Sequence, residues 1–179
     1  MKLIILDRDG VINQDSAEFV KNADEWLPLP GSLEAIARLN RAGYRVVVAS
    51  NQSGVARGLI SMAALNAIHV KMRRAAAAVG AHLDAIFICP HGPDEGCACR
   101  KPLPGMFHDI AHRFDVSLVG VPAVGDSLRD LQASAALGCA PWLVLTGNGT
   151  KTLTQPGLPT GTRSAADLAA VVDLLLSEK

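Results

Sequence analysis

The chain has 179 residues, of which 49% are hydrophobic and 19% charged, and its formal net charge at pH 7 is zero. This length suits one domain with a sizeable core, and the composition excludes a disordered chain. Because no block of like charge occurs, the sequence gives no sign of a nucleic-acid-binding or membrane-binding surface.

The predicted elements alternate between strand and helix. In chain order they are a strand over 3–6, a helix over 32–42, a strand over 44–50, a helix over 61–79, strands over 85–89 and 121–125, a helix over 127–137, a strand over 142–145, a surface loop over 146–162 and a helix over 164–177. The strand runs are almost continuously apolar, which is typical of parallel strands buried on both faces. The pattern therefore predicts a single α/β domain over 1–179 with a doubly wound parallel sheet.

Two of the predicted helices begin with capping residues. Ser32 is the predicted N-cap of the first helix. Ser164 and Asp167 have the spacing of a capping box at the start of the last helix.

The first residues do not resemble a targeting segment. Only four apolar residues separate Lys2 from Asp7, which is too few for a signal peptide. No apolar run approaches the length of about 18 residues that a transmembrane helix needs. We therefore expect a soluble cytoplasmic protein, and the small neutral chain is compatible with a monomer.

Carboxylates follow two of the predicted strands, at the sheet edge where ligands bind. Asp7 and Asp9 follow the first strand, and Asp126 follows the fourth. Residues two apart in an extended chain point to the same side, and two adjacent carboxylates need a cation or a shared proton. A turn or a helix cap would explain an isolated pair of this kind. With Asp126 and the polar ends of the other strands, Mg²⁺ becomes the favoured interpretation.

The stretch CPHGPDEGCACRKP, residues 89–102, concentrates three of the four cysteines. Cys89, His91, Cys97 and Cys99 would complete a tetrahedral Zn²⁺ site with no open position, so the metal is expected to be structural. A disulfide is the first alternative, and the reducing cytoplasm argues against it. A redox pair is the second, but the C-x-x-C spacing is absent.

Four motifs resemble those of the haloacid dehalogenase superfamily, in the same order. They are LIILDRDGVIN, the run beginning at Ser50, Lys101 and VGDSLRD. The resemblance implies that Asp7 is the nucleophile of a phosphatase and that Asp9 is its general acid and base. It also implies that Asp7, the backbone carbonyl of Asp9 and Asp126 bind Mg²⁺, and that Ser50 and Lys101 stabilise the phosphoryl group.

The zinc loop over 89–99 resembles that of a subfamily without a large cap domain. This subfamily contains histidinol phosphatases and heptose bisphosphate phosphatases, and SNQSGVARG together with DRDGVIN resembles the heptose branch. That branch removes the C7 phosphate of D-glycero-D-manno-heptose 1,7-bisphosphate in heptose nucleotide synthesis for lipopolysaccharide. The substrate-binding residues implied are Asp15, Ser16, Ala17, Glu18, Ser50, Asn51, Gln52, Ser53, Arg100 and Lys101.

Two features depart from the heptose branch. Ser127 occupies a position that is often lysine there, and the five-residue gap inside the zinc loop suits histidinol phosphatases as well. A histidinol-phosphate phosphatase therefore stays the enzymatic alternative, and a zinc-stabilised binding module without catalysis is the second. Asp130 is either a partner of the water molecules on the metal or a solvated acid on a helix face.

Overall fold

The computed structural model describes residues 1–178 and contains one six-stranded sheet. The elements are β1 (Lys2–Leu6), α1 (Ser32–Arg41), β2 (Tyr44–Asn51), α2 (Met62–Ala78), β3 (Ala85–Cys89), α3 (Gly105–Phe114), β4 (Pro122–Gly125), α4 (Leu128–Ala135), β5 (Ala140–Val144), α5 (Gly149–Leu153), β6 (Arg163–Ala165) and α6 (Leu168–Ser177). Within the described residues, no helix combines the length and the apolar character needed to cross a membrane.

Every strand pair of the sheet is parallel, and the strand order is β3-β2-β1-β4-β5-β6. The order reverses direction at β1, so the chain winds outward in both directions from the first strand. This topology confirms the predicted doubly wound α/β fold. It places the ends of β1, β2 and β4 next to one another at one edge of the sheet, where such folds bind their ligands.

Alternate residues of β1 enter two different cores. Ile4 and Leu6 pack in the layer that contains Ile36 of α1, Met72 of α2 and residues of α6. Leu3 and Ile5 pack in the opposite layer, which contains residues of α3 and α4. Because both faces of the strand are covered by helices, the strand is apolar at every position from Leu3 to Leu6.

The two capping predictions do not match the structure. Gly31, not Ser32, is the N-cap of α1, and the Ser32 hydroxyl donates to the carbonyl of Val11 at 2.9 Å. At the other end of the chain, Ser164 lies in β6, a strand absent from the prediction. Helix α6 begins at Leu168, and the Asp167 carboxylate accepts the Ala170 N–H at 2.8 Å.

The predicted surface loop over 146–162 contains a short helix and part of the ligand-binding edge. Helix α5 occupies Gly149–Leu153, and the buried Thr152 hydroxyl donates to the carbonyl of Asp126 at 2.8 Å. The Thr146 hydroxyl donates to the carbonyl of Gly10. The segment is therefore anchored to the loops after β1 and β4, which the polar sequence did not predict.

Candidate active site

A cavity of about 260 Å³ opens at the carboxyl ends of the central strands. Most of the predicted site residues line it: Asp7, Asp9, Asp15, Ser16, Asn51, Gln52, Ser53, Arg100, Lys101 and Asp126. Its walls come from the loops after β1, β2, β3, β4 and β5. The convergence of these loops follows directly from the parallel sheet, because all five strands end at the same edge.

Three predicted substrate-binding residues lie apart from this cavity. Glu18 lines a neighbouring groove, and Ala17 is exposed and lines neither the cavity nor the groove. The Ser50 side chain is buried, and its hydroxyl accepts a hydrogen bond from Gln52 Nε2 at 2.8 Å. Ser50 therefore does not line the cavity itself but accepts a hydrogen bond from Gln52, which does.

Three carboxylates form a cluster at the bottom of the cavity. Oxygen atoms of Asp7, Asp126 and Asp130 all lie within 4.8 Å of one another. Burial raises the pKa of Asp7, and the neighbouring Asp130 charge raises it further. Burial and Asp130 likewise raise the pKa of Asp126, to about 6. Closely spaced oxygen ligands with excess negative charge are the donor set that a divalent cation such as Mg²⁺ prefers, so these residues fit the predicted metal.

Lys101 neutralises part of this charge. Its ammonium donates to Asp7 Oδ1 at 2.9 Å and to the carbonyl of Ala49 at 2.8 Å, and it lies 2.5 Å from Asp130 Oδ1. Burial opposes the charged form, but the carboxylates of Asp130 and Asp7 outweigh it and raise the pKa of Lys101. Burial also acts to raise the pKa of Asp130, but the same ion pair outweighs it and lowers that pKa. Lys101 is therefore a fixed positive charge beside Asp7.

Asp126 is fixed by the loop after β5 and by two close glycines. Its Oδ2 accepts the backbone N–H of Asn148 at 2.7 Å and the side-chain amide of the same residue at 3.1 Å. Gly10 and Gly147 both have positive φ, and a Cβ atom at either position would lie 2.2 Å from that oxygen. Any larger residue there would displace the carboxylate.

The Asp9 carboxylate is not part of the cluster. The chain leaves the sheet at Leu6 and bends at Arg8, so the extended geometry assumed for Asp7 and Asp9 does not hold. Asp9 instead accepts hydrogen bonds from Arg8, Asn13 and Gln52. Its side chain therefore lines the cavity beside the carboxylate cluster instead of binding with it.

The four predicted zinc ligands also converge. Cys89 Sγ lies 3.6 Å from His91 Nδ1 and from Cys97 Sγ, and 3.0 Å from Cys99 Sγ. Ligands around a tetrahedral zinc ion are separated by about 3.8 Å, so the set fits zinc with a small adjustment. All four cysteines of the chain are free thiols, and the disulfide alternative has no support in the structure.

The cysteine cluster is connected to the carboxylate cluster through the backbone. The Arg100 guanidinium donates to the carbonyl of His91 at 3.2 Å. The Asn51 side chain exchanges two 3.0 Å hydrogen bonds with the backbone of Lys101. The loop that carries Lys101 is therefore held by the cysteine cluster on one side and by the end of β2 on the other.

Comparison with known proteins agrees with this architecture. The sequence profile of the haloacid dehalogenase-like hydrolases matches residues 7–138. The chain belongs to this family. The match begins at Asp7 and includes the carboxylate cluster, Lys101 and the cysteine cluster.

Named relatives cover nearly the whole chain. A D-glycero-beta-D-manno-heptose-1,7-bisphosphate 7-phosphatase of Bordetella bronchiseptica is 71% identical over 178 residues, which are 99% of each chain. The enzyme of the same name from Pseudomonas aeruginosa is 53% identical over 174 residues, 97% of each chain. A crystal structure of the B. bronchiseptica D,D-heptose 1,7-bisphosphate phosphatase with magnesium and phosphate superposes with a TM-score of 0.99 over 100% of both chains, at 71% identity.

Several cavity residues of this hydrolase were not predicted from its sequence. They are Arg8, Phe19, Val20, Arg57, Ser127, Arg129 and Asn148. Asn148 follows the fifth strand, so the rule applied to the other strand ends would have identified it. Asp130 was left undecided between two roles, and the structure places it in the carboxylate cluster. The arginines gave no local signal, because their positions depend on how the loops fold over the cavity.

Proposed function

We propose that the chain is a Mg²⁺-dependent phosphatase that removes the C7 phosphate of D-glycero-β-D-manno-heptose 1,7-bisphosphate and leaves the 1-phosphate. The observation that carries the proposal is the cavity that joins Asp7, Asp126, Asp130 and Lys101 in a haloacid dehalogenase-like hydrolase. The names of the relatives at 71% and 53% identity support the substrate and its β anomer.

Asp7 is the proposed nucleophile. Its carboxylate oxygen attacks phosphorus, and the bond between phosphorus and the C7 oxygen of the sugar breaks. Asp9 gives a proton to the departing oxygen, and an aspartyl phosphate forms on Asp7. In the second step Asp9 takes a proton from water as the water attacks phosphorus, which releases phosphate and restores the Asp7 carboxylate.

Lys101 and the metal site supply positive charge. Lys101 holds Asp7 Oδ1 at 2.9 Å, which orients the other oxygen for attack. Asp7, Asp126 and the backbone carbonyl of Asp9 are the residues proposed to hold Mg²⁺, and Asp130 is close enough to hold the water molecules on it. When bound, Mg²⁺ shields the phosphate charge from the attacking carboxylate.

A second phosphate on the substrate needs positive charge away from Lys101. Besides the buried Arg8, which pairs with Asp9, three arginines line the cavity: Arg57, Arg100 and Arg129. Arg57 lies over the ring of Phe19, and Arg100 is attached to the cysteine cluster. These cations suit a bisphosphate better than histidinol phosphate, whose distal group is itself a cation.

Zinc is the proposed ligand of Cys89, His91, Cys97 and Cys99, with a structural role. Burial raises the pKa of Cys89 to about 12, so this thiol needs a metal to be held as a thiolate. The desolvation of Cys97 acts in the same direction, but hydrogen bonds from the Arg100 N–H and from the neighbouring thiols lower its pKa to about 7. The cluster therefore already contains one thiol that ionises easily.

Residues 1–179 are proposed to form one domain that acts as a monomer in the cytoplasm without nucleic acid. All the proposed catalytic and metal-binding groups belong to one chain, and the free thiols suit a reducing compartment. Light scattering of the purified protein checks the oligomeric state. A dimer at catalytic concentrations contradicts the monomer.

The substrate is tested by measuring phosphate release with Mg²⁺ from three compounds. They are the β-1,7-bisphosphate, its α anomer and histidinol phosphate. We expect the highest kcat/KM for the β anomer, and a higher value for histidinol phosphate would overturn the substrate assignment. Asp7→Asn keeps the shape of the nucleophile, and it should lower kcat by at least about 10³-fold while circular dichroism shows that the variant still folds. If the wild type with Mg²⁺ released no phosphate from any of the three compounds and Asp7→Asn changed nothing, a zinc-stabilised binding module without catalysis would be favoured.

A further inference from the structure

Arg8 is a buried arginine at the edge of the active-site cavity, and it has no role in the mechanism above. Its side chain is 1% exposed. Nε and Nη2 donate to Asp9 Oδ1 at 3.1 and 2.9 Å, and Nη2 also donates to Asp9 Oδ2 at 3.0 Å. The guanidinium therefore contacts both oxygens of the carboxylate that is proposed to transfer protons.

Two neutral amides complete the surroundings of Asp9. Asn13 Nδ2 donates to Oδ1 and Gln52 Nε2 donates to Oδ2, each at 2.9 Å. Gln52 also accepts from Arg8 Nη2 through its Oε1 at 3.2 Å. Donors thus approach the carboxylate from three side chains, and together they select one orientation of a side chain that could otherwise rotate about two bonds.

The burial of Arg8 is costly if its only role is structural. A buried charge must be paired, and replacing a buried ion pair with apolar residues often leaves stability unchanged or improved. Among the described residues, Asp9 is the only carboxylate that pairs with Arg8, and the buried Nη1 atom has no hydrogen-bond partner. The guanidinium is therefore placed to bind Asp9.

We propose that Arg8 is a positioning residue that fixes the Asp9 carboxyl group in the orientation needed to reach the oxygen of the leaving group. The proposal rests on the proposed function, because Asp9 must be the proton donor. Arg8 acts through Asp9, and it is not required to touch the substrate. Gln52 also holds the Asp9 carboxyl group, but its amide is a neutral donor, so we expect it to contribute less to the orientation of Asp9.

The dependence of rate on the leaving group distinguishes positioning from a merely structural role. Substituted phenyl phosphates of similar size carry one phosphate each and differ mainly in how basic the departing phenolate is. Protonation by Asp9 matters most for the most basic phenolates, so the wild-type enzyme should show a shallow dependence of kcat/KM on basicity. Asp9→Asn is the reference variant. Because its side chain cannot donate a proton to the phenolate, kcat/KM should fall steeply as the phenolate becomes more basic.

Arg8→Gln should steepen this dependence toward that of Asp9→Asn. We expect a loss of about 10²-fold for the most basic phenolate and less than about threefold for 4-nitrophenyl phosphate. Arg8→Lys keeps the charge but loses the forked geometry, so it should restore only part of the loss. Arg74→Gln removes an exposed arginine of α2 outside the cavity, and it should leave the slope unchanged.

A uniform loss over the whole series would overturn the proposal, because a structural defect or lost phosphate binding affects all these substrates equally. Competitive inhibition by inorganic phosphate, measured alongside, should be little changed in Arg8→Gln. If the Arg8 variants do not fold, Gln52→Leu takes their place and should steepen the slope to a smaller extent. If a folded Gln52→Leu variant then showed the wild-type dependence of kcat/KM on basicity, the proposal would also be overturned. Failure of the wild type to hydrolyse any phosphate ester would instead contradict the proposed function.

Discussion

Arg129 lies in the first turn of α4, lines the cavity and is exposed. Among residues 1–178 no carboxylate forms an ion pair with it, in contrast to the buried Arg8 and Lys101. An exposed arginine without a partner beside an anion-binding cavity is available to bind a second phosphate. Arg129 can therefore supply a positive charge at the start of α4, where the N-cap residue Ser127 is uncharged.

Arg129→Gln should therefore discriminate between substrates by their number of phosphates. We expect kcat/KM for the heptose 1,7-bisphosphate to fall about tenfold, while the value for the heptose 7-phosphate stays within about twofold. Steady-state kinetics with both sugars measures the difference. Arg74→Gln is the matched control, since Arg74 is an exposed arginine of α2 outside the cavity. Equal losses of kcat/KM on both sugars would contradict the prediction, because they would show that Arg129 does not bind the C1 phosphate specifically.

Single residues also mark the limit of what the sequence can predict. Asp7, Lys101 and Asp126 were identified because each follows a strand or matches a motif. Asp130 was undecided, because its role depends on Lys101 reaching it from a distant loop at 2.5 Å. Arg8 was overlooked because it lies between two more informative aspartates, and its fork on Asp9 depends on the bend after β1.

Among the elements, the cysteine cluster connects fold stability to catalysis. The loop over 89–99 ends directly before Arg100 and Lys101, and Lys101 is bonded to Asp7. Losing the zinc should loosen a segment that the rest of the fold holds through the Asn51 side chain and through the Lys101 ammonium, which donates to Asp7 and to the carbonyl of Ala49. Activity should then fall although all the carboxylates are intact.

Cys97→Ser is the sharpest test, because Cys97 is only partly buried and its replacement creates no large cavity. We expect loss of bound zinc, a lower kcat, and a melting temperature lower by roughly 10 °C, since each kcal/mol shifts the melting of a chain of this size by about 2–4 °C. Metal analysis, kinetics and calorimetry measure the three. Cys139→Ala removes a buried thiol outside the cluster, and it should retain both the zinc and the activity. If Cys97→Ser keeps its melting temperature, the zinc is not structural.

The start of α6 shows why element boundaries are harder to predict than elements. Ser164 and Asp167 are both good capping residues, and the local pattern favours the earlier one. The pairing of β6 with β5, which includes Ser164 opposite Leu143, is a tertiary contact that no local pattern contains. The first five strands were predicted to within two residues at each end, because burial on both faces leaves a continuous apolar run.

The two candidate caps can be compared directly. Asp167→Ala should lower the free energy of unfolding by about 1 kcal/mol, because the Ala170 N–H loses its acceptor. Ser164→Ala should change it by less than about 0.5 kcal/mol, since the Ser164 side chain is exposed. Urea denaturation of both variants measures the difference. A larger loss in Ser164→Ala would restore the boundary predicted from the sequence.

At the scale of the whole molecule, stability and function are concentrated at different places. The helices and the apolar strands supply two cores, one on each face of the sheet. The carboxyl edge carries the buried carboxylates of Asp7 and Asp126, whose raised pKa values mean that their charged forms oppose folding at neutral pH. Enzymes often accept a loss of stability of this kind at sites that must bind a cation or a transition state.

Asp126→Asn tests whether the carboxylate charge lowers the stability of the fold. The folded-state pKa of Asp126 is raised to about 6 from its ordinary 3.8, so the folded protein binds the extra proton and the metal-free protein loses stability as pH rises through that window. The asparagine side chain of the variant cannot ionise, and without Mg²⁺ at pH 7 the variant should be more stable than the wild type by at least about 1 kcal/mol.

With Mg²⁺ present, the wild type should become more stable than Asp126→Asn. Binding to the folded state alone raises stability by mass action, so the melting temperature of the wild type should rise with Mg²⁺ and that of Asp126→Asn should not. Calorimetry at pH 7 with Mg²⁺ and with a chelator gives all four values. Asp109→Asn changes an exposed carboxylate on α3, and its melting temperature should match that of the wild type both with Mg²⁺ and with the chelator. If Asp126→Asn proves less stable than the wild type without metal, the hydrogen bonds from Asn148 outweigh the crowding of charge, and the carboxylate edge stabilises the fold instead of opposing it.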